Sequence, residues 1–461
     1  MLSALQQKQC RDGIARLALP VLPLVRLAQF PWQNLVPILA GRAEEGEPGE
    51  QLVLIWRLAS GAVRYKNAGP RDLLALKLVE EHVELPQAAR EHKVTLAYLD
   101  RVLERAEQEG YILVPATTLR RDPTIFKAND FISKKHLSSS AFTLQWHITQ
   151  ACDLHCKHCY DRTSRKAVDF EQGLVILDDF RAFCREHHVS GQVTFTGGNP
   201  LLYPRFSELY QAASARGFQL AILGNPTSPE VLAELQAVQP LEFYQVSLEG
   251  LAEHNDHIRG SGHFQRIIDF LAVLKEMGIY SMVMLTLTKE NQNQVLALAE
   301  ILRDKVDLFN FNRLAMVGEG AQLLSAPTEG YEEFLERYHE ASLTNPCMGR
   351  KDNHLNALFA RHGNASFGGC TGYGCGAAFN FVSLLAEGEI HACRKFPSFI
   401  GNICDNTLAE IYHSTTARKY RSGSQACRAC EIRAVCGGCL AVTHGMGLDV
   451  FTDKDPYCFF S

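Results

Sequence analysis

From residue 142 the chain alternates two hydrophobic rhythms. Short apolar runs, FTLQWHI, QVTFTG, FQLAIL, FYQVSL, SMVMLTL and LFNFNRL, are separated by segments with apolar residues at helical spacing, over 170–187, 204–216, 229–238, 263–277 and 292–303. A period of two marks a strand and a period near 3.6 a helix. Alternating strand and helix predicts parallel strands joined by right-handed crossovers. Six such strands, with the helices between them, fall within 141–325. Eight units close a full barrel, so the expected fold is α/β, with a shorter, partly open (β/α)6 barrel whose ligands sit at the C-terminal strand ends.

Upstream, AGRAEEGEPGE (40–50) reads as a linker that closes an N-terminal extension, 1–48. QLVLIWRL and AVRYKN flank Ala59-Ser60-Gly61 as strand, turn and strand. Leu73, Leu76, Val79 and Val83 predict a helix over 71–83, and Leu96, Leu99, Val102 and Leu103 one over 95–109. The shorter PQAAREHK lies between them, and YILVPA returns as a strand. Together these predict a winged-helix domain over 49–116. Residues 117–140 are polar, end in Ser-Ser-Ser and read as a linker. After 325 the rhythm stops and Gly and Cys become frequent, which sets 326–461 apart as a cysteine-rich domain.

The 461 residues are 46% apolar and 21% charged, ordinary for a multidomain globular protein. A net charge of −5 argues against a basic nucleic-acid binder. No apolar run reaches the length of a membrane span, and charges interrupt the N-terminal MLSALQQKQCRDGIARLALPVLPLVRL, so neither a transmembrane helix nor a signal peptide is expected. The 15 cysteines change the picture. Three lie at 152, 156 and 159, and eight more between 370 and 458, Cys404 apart. Clustered thiols without an export signal predict metal-binding thiolates in a reducing cytoplasm.

Cys152-x3-Cys156-x2-Cys159-Tyr160 directly follows the strand FTLQWHI. Three thiolates on one loop suit one face of a 4Fe-4S cube and leave one iron without a protein ligand. The competing reading is structural zinc, with His155 or His158 as the fourth ligand. At these residues the chain resembles the radical S-adenosylmethionine (radical SAM) superfamily, over about 142–320. Thr196-Gly197-Gly198-Asn199-Pro200, after the second strand, resembles that family's GGEP motif, with Asn199 in place of Glu. Val246-Ser247-Leu248-Glu249-Gly250, after the fourth strand, resembles its ribose and carboxylate motif, and Arg259 follows. The resemblance implies that Gly197, Gly198, Asn199 and Pro200 hold the methionine amino group, and that Ser247 and Glu249 serve the ribose and carboxylate motif. It implies that Arg259 pairs with the carboxylate bidentately and that Tyr160 packs beside the cluster and adenine. It also implies the chemistry: reductive cleavage of S-adenosyl-L-methionine (SAM) at the open iron, then hydrogen abstraction by a 5′-deoxyadenosyl radical. Separate readings remain for these residues: a surface salt bridge for Arg259, strand-end turn chemistry for Ser247 and Glu249, and core packing for Tyr160.

The later cysteines, Cys370-x4-Cys375, Cys393, Cys427-x2-Cys430-x5-Cys436-x2-Cys439 and Cys458, resemble the SPASM extension of radical SAM peptide maturases, one residue short at the last spacing. That resemblance implies two auxiliary 4Fe-4S clusters, one on Cys370, Cys375, Cys393 and Cys439, the other on Cys427, Cys430, Cys436 and Cys458. With the cluster on Cys152, Cys156 and Cys159, three 4Fe-4S clusters result. A zinc ribbon on Cys427, Cys430, Cys436 and Cys439 is the alternative. Cys184 reads as core, and Cys347 and Cys404 are substitutes should a ligand be misassigned.

Over 50–116 there are nine Lys and Arg against ten Asp and Glu, too neutral for phosphate binding. The same winged-helix arrangement resembles the peptide-recognition element of enzymes that modify ribosomal peptides, which holds a leader segment as an added strand. QLVLIWRL is the expected exposed edge. A structural cap or dimerisation module is the competing reading. The combined expectation is a cytoplasmic radical SAM/SPASM enzyme that modifies a ribosomally synthesised precursor peptide, forming a thioether or a carbon–carbon crosslink. GGNP weakly resembles the selenobiotic-type peptide maturases. Its partners would be the leader-bearing peptide and a donor such as ferredoxin or flavodoxin, with no nucleic acid and no membrane. An anaerobic sulfatase-maturase-like side-chain oxidase is the first alternative. An iron–sulfur redox-sensing DNA-binding regulator is another, of a different class.

Overall fold

The computed structural model describes residues 25–40, 42, 46–58 and 60–460. Most of the stretch read as lacking an export signal, together with Cys10 and Ala59, lies outside the described residues. The chain divides into two units, 1–117 and 118–461. Among the described residues no helix is long and apolar enough to cross a membrane.

In the first unit, strands β1 (Val25–Gln33), β2 (Glu47–Arg57) and β3 (Val63–Asn67) form an antiparallel sheet in the order β1-β2-β3. Helices Pro70–Glu80, Leu85–His92 and Leu96–Glu109 pack against it through Val79, Leu99, Val102 and Leu103, around the buried Leu54 and Trp56 of β2. Thr95 caps the last helix, accepting a bond from Tyr98 N (3.3 Å), and Gly110 ends it in a left-handed turn at φ 85°. Two expectations are corrected. The segment QLVLIWRL is the central strand, not an edge, because Val25–Gln33, inside the segment read as an extension, pairs along it. YILVPA is no strand: Tyr111 and Ile112 are buried beneath the sheet, where strand-like composition reflects burial alone. Pro31 hid β1 from the sequence. It sits at the register shift between Phe30 and Trp32, where a bulge tolerates its missing N–H.

The second unit is built on a nine-stranded sheet. Strands β4 (Ala141–Thr149), β5 (Ser190–Gly197), β6 (Gln219–Leu223), β7 (Phe243–Ser247), β8 (Ser281–Leu287) and β9 (Leu308–Arg313) run parallel in chain order. They number six, one for each apolar run. The helix that completes the sixth unit, Tyr331–Ser342, lies beyond the expected boundary at 325. In β4, Phe142, Leu144, Trp146 and Ile148 are fully buried, with Phe142 packed on Phe183 of helix Phe170–His187 at 4.7 Å between ring centres. The alternate residues Thr143 and Gln145 line a cavity on the other face, as do Gln192 and Thr194 of β5 and Gln245 and Ser247 of β7. The polar half of the strand alternation therefore marks the inner face of the sheet.

The cysteine-rich segment is not a separate body. Strand β10 (Phe381–Leu384) pairs with β4 in parallel, and β11 (Glu389–His391) and β12 (Phe399–Asn402) continue the same sheet antiparallel. Of the expected linker 117–140, residues 118–140 also fold into this unit. Arg121, 6% exposed, donates to the carbonyls of Cys375 (2.7 Å), Tyr373 (2.8 Å) and Arg421 (3.1 Å).

At the end of β9, Arg313 donates from Nε to Asp352 (2.9 Å) and from Nη1 and Nη2 to the two oxygens of Asp455 (2.8 and 2.9 Å). All three side chains are buried. Burial alone would raise the Asp455 carboxyl, but Arg313 and His354 overcome it and hold the carboxyl far below its ordinary value. Breaking a buried pair on one side costs about 3 kcal/mol, because the other charge is stranded. Asp455→Ala is therefore expected to lose stability of that order in guanidinium unfolding. A loss under about 1 kcal/mol would mean that Asp352 alone satisfies Arg313.

Candidate active site

The loop after β4 carries Cys152, Cys156 and Cys159 into the wall of a cavity of about 950 Å³ at the C-terminal ends of the parallel strands. The loop is braced by backbone: Cys159 N reaches Cys156 O (3.2 Å), Lys157 N reaches Ile258 O (3.0 Å) and Glu319 N reaches Cys159 O (2.9 Å). Gly197 and Gly198 explain themselves against this loop. Gly198 N donates to Thr149 O (2.9 Å) and Asn199 N to Ala151 O (2.7 Å). A Cβ on Gly197 would lie 2.1 Å from Thr149 O, and one on Gly198 2.3 Å from Ala151 O. Two strand-end loops thus meet backbone to backbone, which only glycine permits.

Gly197, Gly198, Ser247, Arg259 and Tyr160 line the cavity; Asn199, Pro200 and Glu249 do not. Asn199, 4% exposed, donates to Asp153 Oδ1 (3.1 Å) and accepts from Leu201 N (3.3 Å), capping the turn that Pro200 begins. An amide both donates and accepts, so Asn199 ties Asp153 of the cysteine loop while it caps. Glu249, 2% exposed, accepts on Oε1 from Arg259 Nε (2.9 Å) and Nη2 (2.6 Å), stands 3.1 Å from His158 Nε2, and accepts on Oε2 from Thr286 N (2.8 Å). Burial would raise its carboxyl, but His158 and Arg259 hold it well below the carboxylate range. Glu249 and Arg259 are thus each other's partners, not independent contacts, and the salt bridge is buried rather than on the surface. The fork of Arg259 formed by Nε and Nη2 is committed to Glu249. Nη1 lies 3.7 Å from Cys156 Sγ, so a bidentate grip on a cofactor carboxylate through that fork is not offered.

Three residues, Asn225, Asp153 and Arg394, escaped the sequence reading, and His158, weighed there as a zinc ligand, has another role. Asn225, after β6, donates to Asp153 Oδ1 (2.6 Å) and faces Cys152 Sγ (3.8 Å). Asp153 therefore bridges Asn199 and Asn225. His158 completes the Glu249 pair. Arg394 stacks over the Tyr160 ring at 3.7 Å and contacts His147. The available signal was position: Asn225 follows a strand end, and Arg394 follows Cys393, as Tyr160 follows Cys159.

The structure sorts the later cysteines by place. Cys370, Cys375, Cys393 and Cys439 line the main cavity, while Cys427, Cys430, Cys436 and Cys458 line a second cleft with His354, Lys454 and Asp455. Cys375 N donates to Cys436 O (2.9 Å), interlocking the two sets. Cys184 is buried in the barrel core, Cys347 is buried away from both cavities with Sγ near Ala299 O (3.9 Å), and Cys404 lines neither. Burial pushes the thiols of Cys152, Cys156, Cys427, Cys430 and Cys439 up, that of Cys375 to about 11 and that of Cys393 to about 12. Grouped thiols that resist ionising alone become thiolates when a metal centre supplies the compensating charge. None of these cysteines is in a disulfide. The donor sets therefore fit one three-thiolate and two four-thiolate iron–sulfur sites.

A radical SAM superfamily profile matches residues 146–302, and one for a SPASM iron–sulfur cluster-binding domain matches 375–431. The mycofactocin maturase MftC of Mycolicibacterium smegmatis is 28% identical over 335 residues, 68% of this chain and 82% of its own. The AdoMet-dependent heme synthase of Methanosarcina barkeri is 25% identical over 344 residues, 69% of this chain and 96% of its own. Among solved structures, Streptococcus suis SuiB bound to its precursor peptide SuiA superposes with a TM-score of 0.54 at 18% identity, covering 89% of this chain and 95% of that one.

Glu249→Gln is expected to lower stability at pH 7 by about 3 kcal/mol, since Arg259 loses its buried counter-charge. The Glu249 carboxyl is depressed in the fold, so its contribution is present above the unfolded value of about 4.3 and fades as pH falls below it. Urea unfolding of wild type and variant should give a constant gap from about pH 8 to 5 that narrows in stronger acid. A gap that widens in acid would contradict the assignment.

Proposed function

We propose that this chain, which belongs to the radical SAM superfamily and carries a SPASM iron–sulfur domain, is an enzyme that modifies a ribosomally made precursor peptide. The observation that carries this reading is the three-cysteine loop at the cavity wall, at the C-terminal ends of parallel strands. Cys152, Cys156 and Cys159 would hold a 4Fe-4S cube and leave one iron to SAM. When bound, cluster and SAM supply a 5′-deoxyadenosyl radical able to take hydrogen from an unactivated carbon. Arg259 Nη1 and Ser247 would orient the methionine end, Gly197 and Gly198 would hold the cysteine loop in place, and Tyr160, fixed by Arg394, would flank the adenine. Cys370, Cys375, Cys393 and Cys439 would hold one auxiliary cluster, and Cys427, Cys430, Cys436 and Cys458 the other. Their electrons would come from a ferredoxin or flavodoxin.

The peptide is favoured by three facts. A relative matched over 68% of this chain is a maturase, that of mycofactocin. The likeness to peptide-bound SuiB spans 89% of the chain, more than residues 118–461 supply, 344 of 461. The first unit also presents a sheet edge. Of its two outer strands, β1 carries Pro31 and a bulge, which spoil pairing, whereas β3 is regular. The leader would add as a strand along β3, and the product would be a thioether or a carbon–carbon crosslink.

Two tests follow. Replacing Cys152, Cys156 and Cys159 together by Ala should lower iron from about 12 to about 8 per chain and abolish reductive SAM cleavage. Continued 5′-deoxyadenosine formation would place the reactive cluster elsewhere, and two zincs with little iron would end the reading. Deleting residues 1–117 should spare uncoupled SAM cleavage. It should cut modification of the leader-bearing peptide at least tenfold, about 1.4 kcal/mol of binding. Unchanged leader-dependent turnover would remove the first unit from peptide recognition and favour a sulfatase-maturase-like oxidase.

A further inference from the structure

The helix Phe170–His187 ends in Glu186 and His187, and His413 ends the helix Leu408–His413. One ligand atom from each of these three residues lies within 4.8 Å of the others. None of them lines either cysteine cavity. His187 is 4% exposed, and its Nε2 is buried without a hydrogen-bond partner. Its Nδ1 is 2.6 Å from Thr118 Oγ1. With Nδ1–H donated to that hydroxyl, the Nε2 lone pair is left free, the arrangement by which an outer-shell oxygen fixes a metal-binding imidazole. A buried ring nitrogen without a partner is a standing penalty unless something engages it.

Against the positive charge of nearby Arg421 and Arg418, two features favour a cation at this place. An 18-residue helix points its C-terminus at it, the negative end of the peptide dipoles. Glu186 adds a carboxylate. Burial, then Arg421 and Arg418, lower the basicity of His413, and burial lowers that of His187, which favours the neutral, ligating form of both rings. Arg421 does not compete for Glu186: it donates to Tyr412 O (2.7 Å) and Ala378 O (3.1 Å). The rings of Phe183 and Tyr412 flank His187 and shield one side.

We propose that Glu186, His187 and His413 form a zinc site, two imidazoles and one carboxylate with a fourth position left to solvent. Tetrahedral zinc at ~2.0–2.1 Å from each donor needs donors about 3.4 Å apart, a closure of an ångström or so by the two exposed side chains. The ion would clamp the first barrel helix to the cysteine-rich segment, beside the existing bond from Leu408 N to Asp179 Oδ2 (2.8 Å). This proposal does not depend on the peptide reading.

The test uses the iron-loaded full chain, incubated anaerobically with zinc chloride and desalted. Elemental analysis should find about one zinc per chain with iron unchanged. The zinc K-edge spectrum should show only nitrogen and oxygen neighbours at ~2.0–2.1 Å, without sulfur near ~2.3 Å. His413→Ala, at an exposed position, should retain its iron and lose the zinc, and Glu186→Gln should weaken binding at least tenfold. No retained zinc, zinc bound through sulfur, or zinc unaffected by His413→Ala would each overturn the site.

Discussion

Arg313 stands where the barrel hands over to the cysteine-rich segment, and its guanidinium has no water to fall back on. Its partners, Asp352 and Asp455, come from beyond the barrel strands, and Asp455 Oδ2 also accepts from Cys439 N at 2.8 Å. One charge therefore fixes a strand end, the loop of one cysteine set and the approach to Cys458. Three buried ions are tolerable only because each oxygen is matched by a donor. If the match fails at one atom, both cysteine walls lose their common reference.

The same economy recurs at the cavity. Glu249 neutralises Arg259, and Asp153 gathers Asn199 and Asn225 behind Cys152. The residues nearest the thiols are thus held by one another before any ligand arrives, which is what preorganisation requires. Arg394 is the exception. It is buried against Tyr160 and His147 without a carboxylate, and burial pulls its basicity well down. When charged, it would attract the negative charge of the thiolate-ligated iron proposed for the neighbouring cysteines.

The six parallel strands and their helices were legible because two periods, near 2 and 3.6, alternate over long stretches. The placing of the cysteine loop was legible because it follows a strand without a gap. The internal pairing of the site was not. Spacing tells which residues reach the same strand end, not that Glu249 and Arg259 will face each other, nor that Asn199 turns back to Asp153. Strand β10 escaped because four residues, three of them consecutive and buried, carry no readable period. Strand β1 escaped because Pro31 interrupts it, and QLVLIWRL was misplaced as an edge in consequence. A usable signal was passed over: the polar alternates Thr143, Gln145, Gln192, Thr194, Gln245 and Ser247 already outline the cavity.

The pairing of β10 with β4 has a temporal side. Phe381 meets Thr143 across 238 positions of chain, so the outer edge of β4 stays open until most of the protein has been synthesised. Contacts that distant form slowly, and an open parallel edge invites other strands meanwhile. The cysteine-rich segment thereby acts as the closing strip of the barrel sheet: a chain truncated ahead of residue 381 would leave the ribosome with its first barrel strand unsealed and prone to aggregate.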